Sequence, residues 1–211
     1  MTEGGAAAIE RVRDLMDEMR TEPSGSRAVR LYRPSPTVAL SRRESLLPGF
    51  RNAEAAARDA GFEPVIRLTG GRAVAYDESC MVLDVVTRET DPIDNAAYFA
   101  ATSQQLVMAL RSLGVDARIG EVAGEYCPGE YSVNARGAVK MMGTSQRVSR
   151  GVRLLSAMLP IGEAEACRAV LVEVNSELGL DWDPSTFGTL AAEVGHLGFD
   201  VVRDAFVQNL Q

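Results

Sequence analysis

The chain has 211 residues, 46% hydrophobic and 24% charged, the balance of a globular protein able to build one sizeable core. A formal net charge of -7 argues against nucleic acid as a main partner, because phosphate binding needs a positive face. No apolar run approaches the roughly 20 residues needed to span a bilayer, and Met1-Thr2-Glu3-Gly4-Gly5 lacks the basic start of a secretory signal, so no membrane partner is expected.

Residues 6 to 20 place Ile9, Val12, Leu15, Met16 and Met19 on one face of an amphipathic helix, followed by a loop from Thr21 to Ser26. Ala28 to Tyr32 and Thr37 to Leu40 read as strands, with Pro34 and Pro36 in the connection because proline cannot donate to a ladder. After the turn Leu47-Pro48-Gly49-Phe50, an alanine-rich helix runs from Asn52 to Ala60 and Gly61 stops it. Glu63 to Leu68 is a strand. The pair Gly70-Gly71 then allows either a plain hairpin turn or a loop that lets a ligand approach the backbone. Arg67 and Arg72 flank it and suit a carboxylate or another anion. Cys80 to Val86 is a strongly apolar strand, which makes Cys80 a buried thiol.

A helix is expected from Pro92 to Leu113, stopped by Gly114, and a short strand from Val115 to Ile119. Val152 to Leu159 reads as a strand. Helices follow at Glu163 to Glu177, carrying Cys167, at about Phe187 to Glu193, and at Phe199 to Leu210. Strand pairs alternate irregularly with helices, so the fold class is α+β: a mixed, mostly antiparallel sheet flanked by helices. The whole chain reads as a single domain, with residues 1–26 an N-terminal helix and loop and 161–211 C-terminal helices.

Cys80, Cys127 and Cys167 are odd in number and widely spaced, which fits a reducing cytoplasm better than a disulfide framework. With one histidine, His196, they make no zinc site by spacing, and no metal is expected. His196 itself falls between two helices, where a capping or surface role is the default.

The basic residues are 21 arginines and one lysine, Lys140. A coding bias toward arginine explains the imbalance, yet a lone lysine under such a bias is a candidate for work that a broad, always-charged guanidinium cannot do. Lys140 sits in Glu125-Tyr126-Cys127-Pro128-Gly129-Glu130-Tyr131-Ser132-Val133-Asn134-Ala135-Arg136-Gly137-Ala138-Val139-Lys140, read as a turn, a strand, a second turn and a strand. Cys127 beside its Pro-Gly turn is either an ordinary half-buried thiol or a nucleophile activated by a nearby cation. With Ala135-Arg136 as the hairpin centre, Lys140 lies opposite Tyr131 and a straight strand puts Cys127 roughly 13 Å away. The two side chains meet only if the turn at Pro128-Gly129 folds Cys127 back.

Three runs carry a family resemblance. Arg67-Leu68-Thr69-Gly70-Gly71-Arg72-Ala73-Val74 resembles the arginine-Ser/Thr-Gly-Gly loop of the biotin/lipoate protein ligase and transferase superfamily. Val139-Lys140-Met141-Met142-Gly143-Thr144-Ser145-Gln146-Arg147 resembles its lysine signature, Lys-x-x-Gly-x-x-Gln-Arg. Tyr126-Cys127-Pro128-Gly129-Glu130-Tyr131-Ser132-Val133 is similar to the cysteine-dependent octanoyl/lipoyl amidotransferases, as are Leu47-Pro48-Gly49 and Asp77-Glu78. The resemblance runs from Arg30 to about Met158.

It implies a biotin/lipoate-ligase-like catalytic domain and a ping-pong acyl transfer. Cys127 takes an octanoyl or lipoyl group as a thioester, Lys140 holds the acyl carbonyl and favours the thiolate, and a lysine of an acceptor lipoyl domain forms the amide. Arg67, Thr69, Gly70, Gly71, Arg72, Ala73, Tyr76, Asp77, Gly143 and Thr144 are the implied acyl-substrate residues. The implied partners are lipoyl-domain proteins (glycine cleavage H protein, 2-oxoacid dehydrogenase E2) or acyl carrier protein, with no cofactor required. An ATP-dependent ligase, using ATP and Mg at an acyl-adenylate, is the alternative implied by the same superfamily, and a non-catalytic lipoyl- or acyl-binding relative is the second. Arg72 and Tyr76 stand where such ligases usually have a third glycine and a histidine.

Overall fold

A computed structural model of the chain describes residues 4–89 and 94–210. Helix α1 (Gly5–Met19) turns Ala8, Val12, Met16 and Met19 inward, the spacing of one helical face. Strand β1 (Arg27–Tyr32) and strand β2 (Thr37–Leu40) follow, then α2 (Phe50–Asp59), β3 (Glu63–Ile66), β4 (Val74–Tyr76) and β5 (Cys80–Arg88). Helix α3 (Asn95–Ser112) is capped by Asp94, whose side chain accepts from the Ala96 N–H at 2.9 Å. Its expected start at Pro92 lies outside the described residues. Next come β6 (Ala117–Ile119), β7 (Val133–Ala135), β8 (Val139–Ser149), β9 (Val152–Pro160), α4 (Glu165–Glu177), α5 (Leu190–Val194) and α6 (Phe199–Asn209).

The strands form two sheets. An all-antiparallel sheet runs β1-β5-β9-β8-β7-β6, and a small mixed sheet runs β3-β2-β4 with its one parallel pair at β2/β3. The α+β expectation therefore holds, with the strands divided between two sheets. Of the two readings at Gly70-Gly71, the loop holds and the hairpin does not. β3 and β4 do not pair across the glycines; both flank β2. The glycine pair thus lies in a crossover loop that passes over the end of β2, not in a hairpin. A correction concerns the segment at Phe187. Pro184–Thr186 forms a short 3₁₀ turn, Phe187 is extended, and the helix begins only at Leu190. Phe187 bridges to Lys140 instead.

The period of two along a strand decides what each sheet face meets. On β5, Met81, Leu83 and Val85 point to α3 and α6, packing with Leu106, Leu110, Val202 and Phe206. Cys80, Val82 and Val86 point the other way, toward the small sheet, α2, α4 and α1. β9 repeats the pattern, with Leu155, Ala157 and Leu159 on the first face and Leu154 and Met158 on the second. The second face is where the cavity opens.

Candidate active site

A cavity of about 420 Å³ lies between the larger sheet, the Gly70-Gly71 loop, the β6–β7 loop and α1, within the range of small-ligand sites. The pairing registers put two rows of side chains across its floor. Gly143, Met158, Val82 and Tyr32 stand on four neighbouring strands in one row. Ser145, Ser156, Asp84 and Arg30 form the next. The second row is internally satisfied: Ser145 donates to Thr69 Oγ1 at 2.8 Å, Ser156 to Asp84 at 2.6 Å and Arg30 to Asp84 at 3.0 Å. Ala8, Ile9 and Val12 of α1 complete the cavity wall.

Cys127 and Lys140 both line this cavity. The β7–β8 hairpin corrects the expected register. Ala135 pairs with Val139 and Asn134 with Lys140, and a shift at Val133/Asn134 follows. Lys140 therefore stands opposite Asn134, not Tyr131. The expected fold-back at Pro128-Gly129 is not what is seen: the loop turns at Ala123-Gly124 and at Glu130-Tyr131, and it brings the Cys127 backbone, not its side chain, to Lys140. There the Cys127 carbonyl accepts a hydrogen bond from Lys140 Nζ. The sulfur lies on the other side, against the glycine loop, where the Arg72 N–H donates to it at 3.2 Å. A Cβ on Gly71 would stand 3.3 Å from that sulfur and 2.7 Å from Arg67 Nη2, at a φ of +98°. Only glycine lets the loop come this close.

Ten of the twelve expected site residues line the cavity: Arg67, Thr69, Gly70, Gly71, Arg72, Tyr76, Cys127, Lys140, Gly143 and Thr144. Two do not. Ala73 is buried behind the loop, where its N–H donates to Glu44 at 2.6 Å. Asp77 turns to Ser79, accepting from its N–H at 2.8 Å and its hydroxyl at 2.5 Å. The donor atoms of Asp77, Cys80 and Cys167 lie within 4.8 Å of one another. Hydrogen bonding with Cys80, and then burial, push the Cys167 thiol well above the usual thiol range, so it packs as a protonated side chain. His196 is exposed between α5 and α6, away from the cavity.

Sequence reasoning missed three buried residues that matter here, and of them Glu44 alone carried a signal, the capping-box spacing from Ser41 to Glu44. Glu44 accepts from the Ser41 N–H, the Ser41 hydroxyl and the Ala73 N–H, which anchors the glycine loop from below. Glu125 is wholly buried and accepts from Lys140 at 2.8 Å, from the Ser132 hydroxyl at 2.8 Å and from the Val122 N–H at 2.9 Å. Ser132 completes that set. A lone lysine in an apolar hairpin calls for a carboxylate partner, but nothing in the chain says which of its acids it is. Lys140 Nζ also sits 4.9 Å from the centre of the Tyr126 ring. Burial, then the neighbouring Cys127 and Glu125, push the Tyr126 phenol well up; burial and Asp84 do the same to Tyr76, so both stay protonated.

Chemically, the site offers a thiol met by a backbone N–H, an ammonium on the carbonyl of the same residue and an apolar trough. Among the described residues no helix is long and apolar enough to cross a membrane. Comparison with known proteins gives the family and the fold. The family model for the lipoyl protein ligase A/B catalytic domain matches residues 8–209. The octanoyl-[GcvH]:protein N-octanoyltransferase of Geobacillus kaustophilus is 31% identical over 160 residues, 75% of this chain and 56% of that protein. The chain spans about half the length of the curated relatives it matches first.

Among solved structures, lipoate-protein ligase A bound with ATP superposes with a TM-score of 0.74 at 23% identity, covering 100% of this chain and 81% of that one. A bi-partite lipoate protein ligase from Thermoplasma acidophilum, studied with its E2 lipoyl domain, gives a TM-score of 0.72 at 22% identity, covering 100% and 83%. At these identities the likeness speaks for the fold. With the family model spanning nearly all of it, the chain belongs to the lipoyl protein ligase A/B catalytic domain family.

Proposed function

We propose that the protein is an acyltransferase of protein lipoylation that passes an octanoyl or lipoyl group through a thioester on Cys127. The observation that carries this reading is the half-buried Cys127 thiol at an apolar cavity, with the Arg72 N–H on its sulfur and Lys140 on its own carbonyl. The sulfur attacks the acyl carbonyl of a donor, the donor's leaving group departs with a proton, and a thioester forms. The amine of an acceptor lysine then attacks the thioester; the amide forms, and the proton lost by the amine returns the sulfur to a thiol. The N–H of Arg72 offers a hydrogen bond to the charged sulfur. Lys140 has three N–H groups, two of them used by Glu125 and the Cys127 carbonyl. The third is available to the acyl oxygen, where negative charge develops.

The substrates follow from the names of the relatives. An octanoyltransferase whose name specifies GcvH, and a ligase studied with its E2 lipoyl domain, support lipoyl-domain proteins as partners; acyl carrier protein is a further candidate donor. The reaction as written needs no metal, ATP or other cofactor, and three free thiols fit a reducing cytoplasm. The test is to incubate the protein with an octanoylated lipoyl domain and an apo lipoyl domain, with and without ATP, and to follow intact mass. An adduct on the wild type without ATP, absent in Cys127→Ala, is expected. Transfer that requires ATP and survives Cys127→Ala would replace this reading with an ATP-dependent ligase. Neither adduct nor transfer would leave a binding protein.

A further inference from the structure

Glu125 is as deeply buried as any ionisable group at the cavity, yet it does not line it. Its carboxylate is held on three sides, by Lys140, by Ser132 and by the Val122 N–H. Lys140 in turn reaches the carbonyl of Cys127, two residues along the chain from Glu125. The three residues close a ring that ties β8 to the loop carrying the sulfur. Room for it is reserved on the strand: a Cβ on Gly143 would stand 3.0 Å from Lys140 Cε and 3.1 Å from Nζ.

Stability does not account for such a pair. Taking two charges out of water costs about as much as their attraction returns, and well-packed apolar replacements are often neutral or better. A lysine side chain, however, carries about 2 kcal/mol of rotamer entropy when free. A lysine that must present one N–H to a developing oxyanion benefits from being fixed beforehand. Glu125 supplies that fixing and offsets the ammonium's charge, leaving one N–H of Lys140 for the cavity.

We propose that Glu125 is the positioning residue of this site: braced by Ser132, it aims the Lys140 ammonium at the Cys127 carbonyl and at the acyl oxygen. The inference rests on the acyl-transfer reading above, deepening it by one residue that touches no substrate.

A double-mutant cycle on acyl transfer from octanoylated to apo lipoyl domain tests it, using wild type, Glu125→Gln, Lys140→Met and the double variant. Since misplacing a group by about 1 Å can cost about 100-fold, Glu125→Gln should lower kcat by about 10- to 100-fold, with KM for the acyl donor within about twofold. Because Glu125 acts through Lys140, the double variant should fall no further than Lys140→Met. A double variant that loses the product of the two single effects, or a Glu125→Gln protein with wild-type kcat, overturns the proposal.

The single variants each leave one buried charge unpaired and are the ones at risk in folding. Ser132→Ala removes only the brace and leaves Lys140 and the Val122 N–H on the carboxylate; the same reading requires its kcat to fall by about 3- to 10-fold, since less than the 1 Å displacement that costs about 100-fold is needed, at unchanged KM; wild-type kcat there overturns it too. Should the wild type transfer no acyl group, the proposed function fails separately. The cycle is then read on the iodoacetamide alkylation rate of Cys127, with the same requirement that the double variant go no further than Lys140→Met.

Discussion

Two ion pairs are buried almost to the same degree in this molecule, and they are built differently. Arg153 and Glu89 have side chains 1% and 6% exposed, Lys140 and Glu125 1% and 0%. Arg153 spreads its planar fork over several partners. Nε meets both Glu89 oxygens at 2.8 and 3.0 Å, Nη1 meets Asn95 and Gln146 at 2.7 Å each, and the Tyr98 ring lies 4.4 Å from Cζ. It thereby joins β9 to β8, to the end of β5 and to the start of α3. Lys140 makes two hydrogen bonds, lies 4.9 Å from the centre of the Tyr126 ring and lines the cavity. The comparison teaches that a guanidinium suits a saturated structural joint, whereas a compact ammonium can be pinned and still point at one oxygen. That difference gives a physical reason for one lysine among 21 arginines.

The largest expected effect belongs to the structural pair. Arg153→Met leaves Glu89 buried without its partner and should cost about 3–5 kcal/mol. Thermal unfolding would show this, at about 2–4 °C in Tm per kcal/mol for a chain of this size. The alkylation rate of Cys127 should not change in the folded variant; a large change would mean the two pairs are coupled through Gln146, which touches Arg153 and lines the cavity. Lys140→Arg tests the other half. It keeps the charge but replaces a point donor with a fork beside Gly143, and acyl transfer should fall by about 100-fold, the cost of a misplaced catalytic group. Near-wild-type transfer would break the comparison.

Gly143→Ala is a gentler probe. The added methyl meets Lys140 Cε at 3.0 Å, so a loss of about tenfold in kcat is expected, since less than a full 1 Å of displacement is needed. An unchanged kcat would mean that the ammonium tolerates displacement. The smallest effect is at Asp183, which caps the turn leading to Phe187 and the strand of Lys140. The hydroxyl and then the N–H of Ser185 hold its carboxyl below the usual range. A folded-state value below the unfolded one stabilises above the unfolded pKa and is lost as pH falls through the folded value. The Tm difference between wild type and Asp183→Ala should therefore shrink at pH below about 4 and persist at pH 7; a difference independent of pH would assign the cap no charge contribution.

Much of this was readable in the chain. The mainly apolar runs at Cys80–Arg88 and Val152–Pro160 mark strands buried on both faces. The glycine loop, Cys127 and Lys140 stand out by residue type, and ten of twelve expected site residues meet at one cavity. Ala73 and Asp77 share the loop's sequence neighbourhood but face away from it, because alternation and a local turn decide direction where proximity in sequence does not.

What the chain by itself determined, then, is local: which segments become helix or strand, and which unusual residues they carry. Periodicity and turn chemistry act over a few residues and need no knowledge of the rest. The tertiary structure alone decided the pairings. It placed β2 between β3 and β4, so that the glycines became a crossover loop against the Cys127 sulfur. It set Lys140 opposite Asn134 and delivered Glu125 and Ser132 beneath it. A buried charge must find an opposite charge, but any acid in the chain could answer that need. Only the closing of the β6–β7 loop over β8 selects Glu125.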